Sequence, residues 1–261
     1  MNRIEKVMRT LAENNEKAFV PYIMAGDGGL NSLAERITFL EKAGATAIEI
    51  GIPFSDPVAD GPVIQRAGIR ALENGTTLRG VLKIISEIRP IVHIPLIFMT
   101  YMNPIMAFGI EEFIEECFRS GVDGLILPDL PIEEEDIIVP YAEKAGIEII
   151  RLVTLTSPLA RVEEISKKGH GFLYAVTVNG ITGARKGFSD QLGEHLKKVK
   201  SVSCLPVLAG FGIASPSHVL EMNQYCDGVI VGSKIIELFE QGDLAGIEEL
   251  INASKMANVE S

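Results

Sequence analysis

Two rhythms of apolar residues alternate along this chain. Short, nearly continuous apolar runs recur at AFVPYIMA (18–25), TAIEIG (46–51), LIFMTY (96–101), GLILPDL (124–130), IEIIRLV (147–153), GFLYAVT (171–177), LPVLAG (205–210) and DGVIVG (227–232). Such runs suit parallel strands that are buried on both faces. Between them, apolar residues stand three and four apart, as in SLAERITFLEKAG (32–44), EEFIEECFRSG (111–121), IEEEDIIVPYAEKAG (132–146), ARVEEISKKG (160–169), SDQLGEHLKKV (189–199) and SPSHVLEMNQY (215–225), the spacing of amphipathic helices. Several of these segments end in glycine (Gly44, Gly121, Gly146, Gly169), a common helix stop. Eight strand–helix repeats predict an α/β chain, a closed parallel (β/α)8 TIM barrel forming a single domain over 1–261, with an extra helix from the N-terminal MNRIEKVMRTLAENN. An open doubly wound sheet is the weaker alternative. It calls for a glycine-rich turn after the first strand, and Gly26-Asp27-Gly28-Gly29 is a poor match to that pattern.

Composition narrows the function. With 261 residues, 47% of them hydrophobic, the chain can bury a large core. A net charge of −11 argues against a nucleic-acid or anionic-membrane surface. Cys117, Cys204 and Cys226 have no CxxC spacing and read as reduced thiols of a cytoplasmic protein. No apolar run reaches membrane-spanning length, and charges interrupt the N-terminal helix as no signal peptide would allow.

Barrel chemistry sits at the C-terminal ends of the strands. There the sequence offers Asp27, Glu49, Asp56, Asp60, Tyr101, Asn103, Asp129, Tyr174 and Ser233. No predicted strand carries a lysine, and the four histidines precede strands or lie on helices, so Schiff-base and histidine-metal chemistry are both disfavoured. Glu49 is the sharpest signal. By strand alternation, Thr46, Ile48 and Ile50 share one face while Ala47, Glu49 and Gly51 share the other. A carboxylate buried in that apolar setting should hold its proton to unusually high pH, as suits a group that both gives and takes protons. Asp60 in Ala-Asp-Gly-Pro is by itself ordinary turn chemistry. AGFGI (209–213) and VGSKI (231–235) bring glycines and the helix-opening Ser215 and Ser233 together, an arrangement that fits phosphate. TVNGITGARKGF (177–188) reads as a lid whose Gly183 closes over the same phosphate. Arg151 is a charge inside the fifth strand, expected near a strand end or paired with a carboxylate.

The segments PYIMAGD, IEIGIPFSDPVADGPVIQRA, LPDLP, GFLYAVTVNGITGAR, LPVLAGFGI and DGVIVGSKI, in this order across essentially the whole chain, resemble the tryptophan synthase α-subunit family. The resemblance implies reverse-aldol cleavage of indole-3-glycerol phosphate to indole and glyceraldehyde 3-phosphate, with no cofactor in this subunit. Glu49 matches the acid–base glutamate and Asp60 the carboxylate that holds the indole N–H. Tyr174 matches a tyrosine near the substrate, and Thr182 a lid threonine that meets Asp60 on closure. Gly183, Phe211, Gly212, Gly232 and Ser233 match the phosphate site. Tyr22, Met99 and Leu127 are expected to line the indole pocket. The partner implied is a pyridoxal-phosphate β subunit in an α2β2 heterotetramer, facing Pro53 to Pro57, Asn103, Pro104 and Pro131. Val178 and Asn179 depart from the Arg and Ser of familiar members, which touches lid closure rather than the reaction. A free-standing lyase, or a non-catalytic barrel that activates a partner, remains as an alternative.

Overall fold

A computed structural model describes residues 2–176, 190–210 and 212–256. The apolar runs form β1 (Ala18–Met24), β2 (Ile48–Gly51), β3 (Leu96–Met99), β4 (Gly124–Ile126), β5 (Glu148–Ile150), β6 (Leu152–Thr154), β7 (Leu173–Val176), β8 (Val207–Gly210) and β9 (Gly228–Val231). All pair in parallel, in the order β5-β4-β3-β2-β1-β9-β8-β7-β6. The ends of that order are neighbours in the chain. β5 and β6 are the two halves of the predicted fifth strand, separated only by Arg151. β5 pairs with β4 and β6 with β7, and the Tyr174 N–H donates to the Arg151 carbonyl at 3.0 Å. The sheet thus closes into the expected barrel through a strand that changes partner midway, which is why eight predicted strands appear as nine.

Arg151 has its answer at that break. Ile150 and Leu152 on either side both pack into the barrel interior. Arg151 takes the opposite parity, and Glu135 receives its guanidinium through two hydrogen bonds of 2.9 and 3.0 Å. Both side chains are about nine-tenths buried.

The helices are α1 (Arg3–Glu13), α2 (Leu30–Ala43), α3 (Pro62–Glu73), α4 (Leu78–Ile88), α5 (Met102–Phe108), α6 (Ile110–Ser120), α7 (Val139–Ala145), α8 (Leu159–Lys168), α9 (Asp190–Val202), α10 (Pro216–Asn223), α11 (Ser233–Gln241) and α12 (Leu244–Met256). Two depart from expectation. The predicted helix over 132–146 is only a 3-10 turn at Glu135–Ile137 followed by the short α7. Pro140 has no N–H to donate and so belongs in a helix's first turn, where it starts α7 afresh rather than continuing a longer helix. Conversely, Asn103 and Pro104, expected in a proline-rich loop, begin α5, again with the proline in the first turn. Of the predicted glycine stops, Gly44, Gly121 and Gly146 are left-handed C-caps, whereas Gly169 is extended.

Strand alternation sorts the core into two shells. Ile48, Ile50, Phe98, Val207 and Val229 face outward against Leu33, Ile37, Ile85 and Phe113 of the helices. Ala18, Ala47, Ile97, Ile126, Ile150, Leu208 and Ile230 face inward, and Ile4 and Met8 of α1 join them. α1 therefore floors the barrel. A capping box holds its start, with Asn2 accepting the Ile4 N–H and Glu5 reaching back to the Asn2 N–H. Asn2 also donates to the carbonyls of Asp123 and Gly146, and Arg3 meets the Asp123 carboxylate at 2.8 Å.

Candidate active site

Strand register brings the first functional group into place. Glu49 of β2 lies beside Tyr22 of β1 and Ile97 of β3, one step above the inward-facing Ala47. It is 1% exposed, and neither carboxylate oxygen has a hydrogen-bond partner among the described residues. Burial pushes its pKa up to about 8, and the nearby Asp60 charge adds to the rise. Near neutral pH this group mostly keeps its proton and can release it with little driving force.

Asp60 comes from the long connection between β2 and α3. Its N–H donates to the Pro57 carbonyl at 3.1 Å, and its carbonyl accepts from the Gln65 side chain at 2.9 Å. Gly61 caps α3 and Pro62 opens it, so this loop ends in a fixed helix start. Burial raises the Asp60 pKa to about 6, and hydrogen bonding from Tyr101 offsets part of that rise. Its Oδ1 is buried and has no partner among the described residues. The two carboxyl groups thus differ: near pH 7 Asp60 is mainly charged while Glu49 is mainly neutral.

Two tyrosines complete the inner wall, and two glycines make room for them. A Cβ on Gly51 would stand 1.9 Å from the Tyr22 hydroxyl, and one on Gly210 would stand 2.3 Å from the Tyr174 ring. Gly210 is therefore glycine because Tyr174 lies across it, a reason the sequence does not reveal; the pattern AGFGI suggests only anion binding. Burial raises both phenols well above their ordinary range, so both stay protonated.

The far wall fits an anion. α11 starts at Ser233 after Gly232, with no side-chain cap. Its first backbone bond runs from the Ile236 N–H to the Gly232 carbonyl. The N–H groups of Ser233, Lys234 and Ile235 are thus unpaired among the described residues, at the positive end of the helix. A Cβ on Gly212 would meet nothing within 4 Å. Ser215 opens α10 as expected, its hydroxyl capping the helix by accepting the His218 N–H.

Glu49, Asp60, Tyr174, Gly212, Gly232 and Ser233 all line one cavity of about 1090 Å³ at the C-terminal end of the strands, and so do Tyr22, Met99 and Leu127. Thr182, Gly183 and Phe211, with Val178 and Asn179, lie outside the described residues. The other barrel-end carboxylates are already engaged. Asp27 is 3% exposed and takes a double hydrogen bond from Arg70 at 2.8 and 3.0 Å. Both oxygens of Asp129 accept the Met102 N–H that starts α5. Asp56 bonds Ser55 at the surface. No group of three or more His, Cys, Asp or Glu among the described residues is placed to hold a metal.

A parallel barrel whose cavity brings together a buried carboxyl with no partner among the described residues, a second, half-buried carboxyl and an uncapped helix terminus belongs to the class of barrel enzymes that move protons on a substrate with an anionic end. The comparisons with known proteins narrow this class. The family model described as tryptophan synthase alpha chain matches residues 8–260. The chain is 56% identical to the tryptophan synthase alpha chain of Bacillus cereus over 97% of both chains. It is 57% identical to that of Bacillus anthracis over 93% of this chain and 94% of the relative. Among solved structures, the alpha chain from Legionella pneumophila superposes with a TM-score of 0.89 at 36% identity, covering 100% of this chain and 99% of that one. Tryptophan synthase of Mycobacterium tuberculosis gives 0.89 at 32%, covering 98% and 99%. The chain belongs to the tryptophan synthase alpha chain family, and is a lyase-type enzyme subunit. No helix among the described residues is long and apolar enough to cross a membrane.

Proposed function

We propose that this chain, acting as one barrel domain over 1–261, cleaves indole-3-glycerol phosphate to indole and glyceraldehyde 3-phosphate. The observation that carries the reading is the pair of carboxyl groups, one buried and one half-buried, of unequal proton affinity that line one cavity. Cleavage needs a proton at indole C3 and the loss of one from the side-chain hydroxyl. Glu49, neutral near pH 7, delivers the first and, once ionised, takes the second. The carbon–carbon electrons return to the ring, the alcohol carbon becomes the aldehyde, and Glu49 ends as it began. Asp60, ionised, accepts the indole N–H at Oδ1, which has no partner among the described residues, and stabilises positive charge building on the ring. The step changes no net oxidation level and calls for no cofactor in this subunit.

The remaining residues bind and orient. Tyr22, Met99 and Leu127 supply the apolar wall for indole, with Tyr174 beside the reacting carbons. The Gly232–Ser233 start of α11 and Gly212 receive the phosphate, with Gly183 and Phe211 completing the site and Thr182 meeting Asp60 when the lid closes. In this reading the protein works in the cytoplasm as the α subunit of an α2β2 heterotetramer. Its pyridoxal-phosphate β subunit docks over Pro53–Pro57, the start of α5 and Pro131, and receives the indole.

The test is indole release from indole-3-glycerol phosphate by the purified chain, with and without the β subunit. Slow release alone, strongly stimulated by the partner, is the expected result. Fast release without stimulation favours a free-standing lyase. No release in either case overturns the roles of Glu49 and Asp60.

A further inference from the structure

Tyr101 follows β3 and stands just before α5, yet two contacts tie it to the Asp60 connection. Its hydroxyl accepts the Ala59 N–H at 3.1 Å. Its ring packs on Phe54 with centroids 5.4 Å apart, tilted by 35°. The same hydroxyl lies near enough to the Asp60 carboxyl group to lower its pKa. It is buried, so these contacts work in a low-dielectric setting where each counts for more than in water. An oxygen that accepts from Ala59 keeps its own proton for donation, and the acceptor next along the chain is Asp60.

We propose that Tyr101 is the positioning residue for Asp60: its hydroxyl binds the Ala59 amide and donates to the Asp60 carboxylate, and its ring on Phe54 anchors the loop, so that Oδ1 stays free for the substrate N–H. The proposal rests on the reading of Asp60 given above. Ala59 and Asp60 lie in a loop connection rather than in the sheet ladder, and Gly61 has no side-chain cap to hold the turn. A hydroxyl that binds one backbone amide and the next side chain fixes the position of the carboxylate and keeps it ionised. Pro53 to Pro57 is the stretch read above as partner-facing, so Phe54 and Tyr101, neither of which lines the cavity, also connect that surface to Asp60.

The groups facing Asp60 among the described residues come from four elements: Tyr22 of β1, Glu49 of β2, Tyr101 after β3 and Tyr174 of β7. The tyrosines stay neutral through the working range. In that range Glu49 and Asp60 are the groups that titrate, and loss of activity on the acid side reports Asp60.

The experiment is the pH profile of indole release by the complex with the β subunit, for wild type, Tyr101→Phe and Asp60→Asn. Tyr101→Phe keeps the ring on Phe54 and removes only the hydroxyl. Its kcat at neutral pH should fall about tenfold, the scale of one hydrogen bond to a charged group. Its acid limb should move to higher pH, because the Asp60 carboxylate has lost a donor. A fluorinated tyrosine placed at position 101 by stop-codon suppression is a stronger donor and should move the limb to lower pH. It keeps the proposal testable even if Tyr101→Phe folds poorly. Affinity for glycerol phosphate, a probe of the α11 end alone, should change less than twofold in either variant. If Asp60→Asn is crippled while both Tyr101 variants keep the wild-type rate and limb, the positioning role is overturned. If Asp60→Asn itself cleaves normally, the reading of Asp60 has failed instead.

Discussion

The two ends of the barrel each bury a carboxylate, and they treat it in opposite ways. At the floor, Asp123 is 3% exposed and fully engaged: it accepts the Leu96 N–H at 2.9 Å, Arg3 at 2.8 Å and Arg89 at 3.3 Å. At the mouth, Glu49 is equally buried and has no partner at either oxygen among the described residues. The first arrangement closes strands and helix against one another. The second leaves a group whose charged form no described residue hydrogen-bonds, and so leaves it available to a substrate. Burial alone does not mark a reactive carboxylate; burial without partners does.

The largest effect expected is at the mouth. Glu49→Gln should lower indole release by on the order of a thousandfold or more, by removing the proton carrier from both halves of the step. The same substitution should leave the fold intact and make the unliganded protein more stable in mild alkali. The sign follows from its raised pKa. Between its ordinary value and about 8, the folded state binds the Glu49 proton more tightly than the unfolded chain does. Folding stability from this group is therefore present at low pH and lost as pH rises through that window. Thermal melts of wild type from pH 5 to pH 9 should lose on the order of a few kcal/mol to this group, and the Glu49→Gln slope should be shallower. Equal slopes would break the contrast.

At the floor the effects reverse. Asp123→Ala strands Arg89 and the Leu96 N–H and should cost about 3–5 kcal/mol, roughly 10 °C in the melting temperature of a chain of this size. Single-turnover cleavage by the folded fraction should stay near wild type. A smaller effect tests how the mouth is shaped. Gly210→Ala pushes a methyl group into the Tyr174 ring and should cost about 1–3 kcal/mol by overpacking. Indole release should fall with it, since Tyr174 must leave its place, and unchanged kinetics would show that the ring's position is immaterial.

The face on which Glu49 sits is legible in the sequence, because strand alternation fixes parity whatever the tertiary structure. So are the shells of the barrel, since the outward Ile48 and Ile50 and the inward Ala47 follow from the same rule. Partnership is not legible. Asp27 and Asp60 look alike as barrel-end aspartates, and only the fold reveals that Arg70, more than forty residues along the chain, occupies the first while Oδ1 of the second has no partner among the described residues. The engaged Asp123 gives no local signal at all, since its partners come from α1, the residue after α4 and β3. The break at Arg151 escapes sequence reading for a similar reason: its partner Glu135 belongs to a segment whose helical periodicity hides a 3-10 turn and a proline restart. Tyr101 is visible as a residue at the end of the third strand, but its hold on the Asp60 loop is a tertiary fact.

The helix across the floor also governs traffic. With Ile4 and Met8 seated among the inward side chains, the barrel is a vessel stopped at its base. Whatever is made beside Glu49 leaves from the rim where its precursor entered, and a protein seated on that rim becomes the gatekeeper of the product. For a small apolar product that would otherwise escape across membranes, a stopped base and a covered rim convert a release step into a delivery.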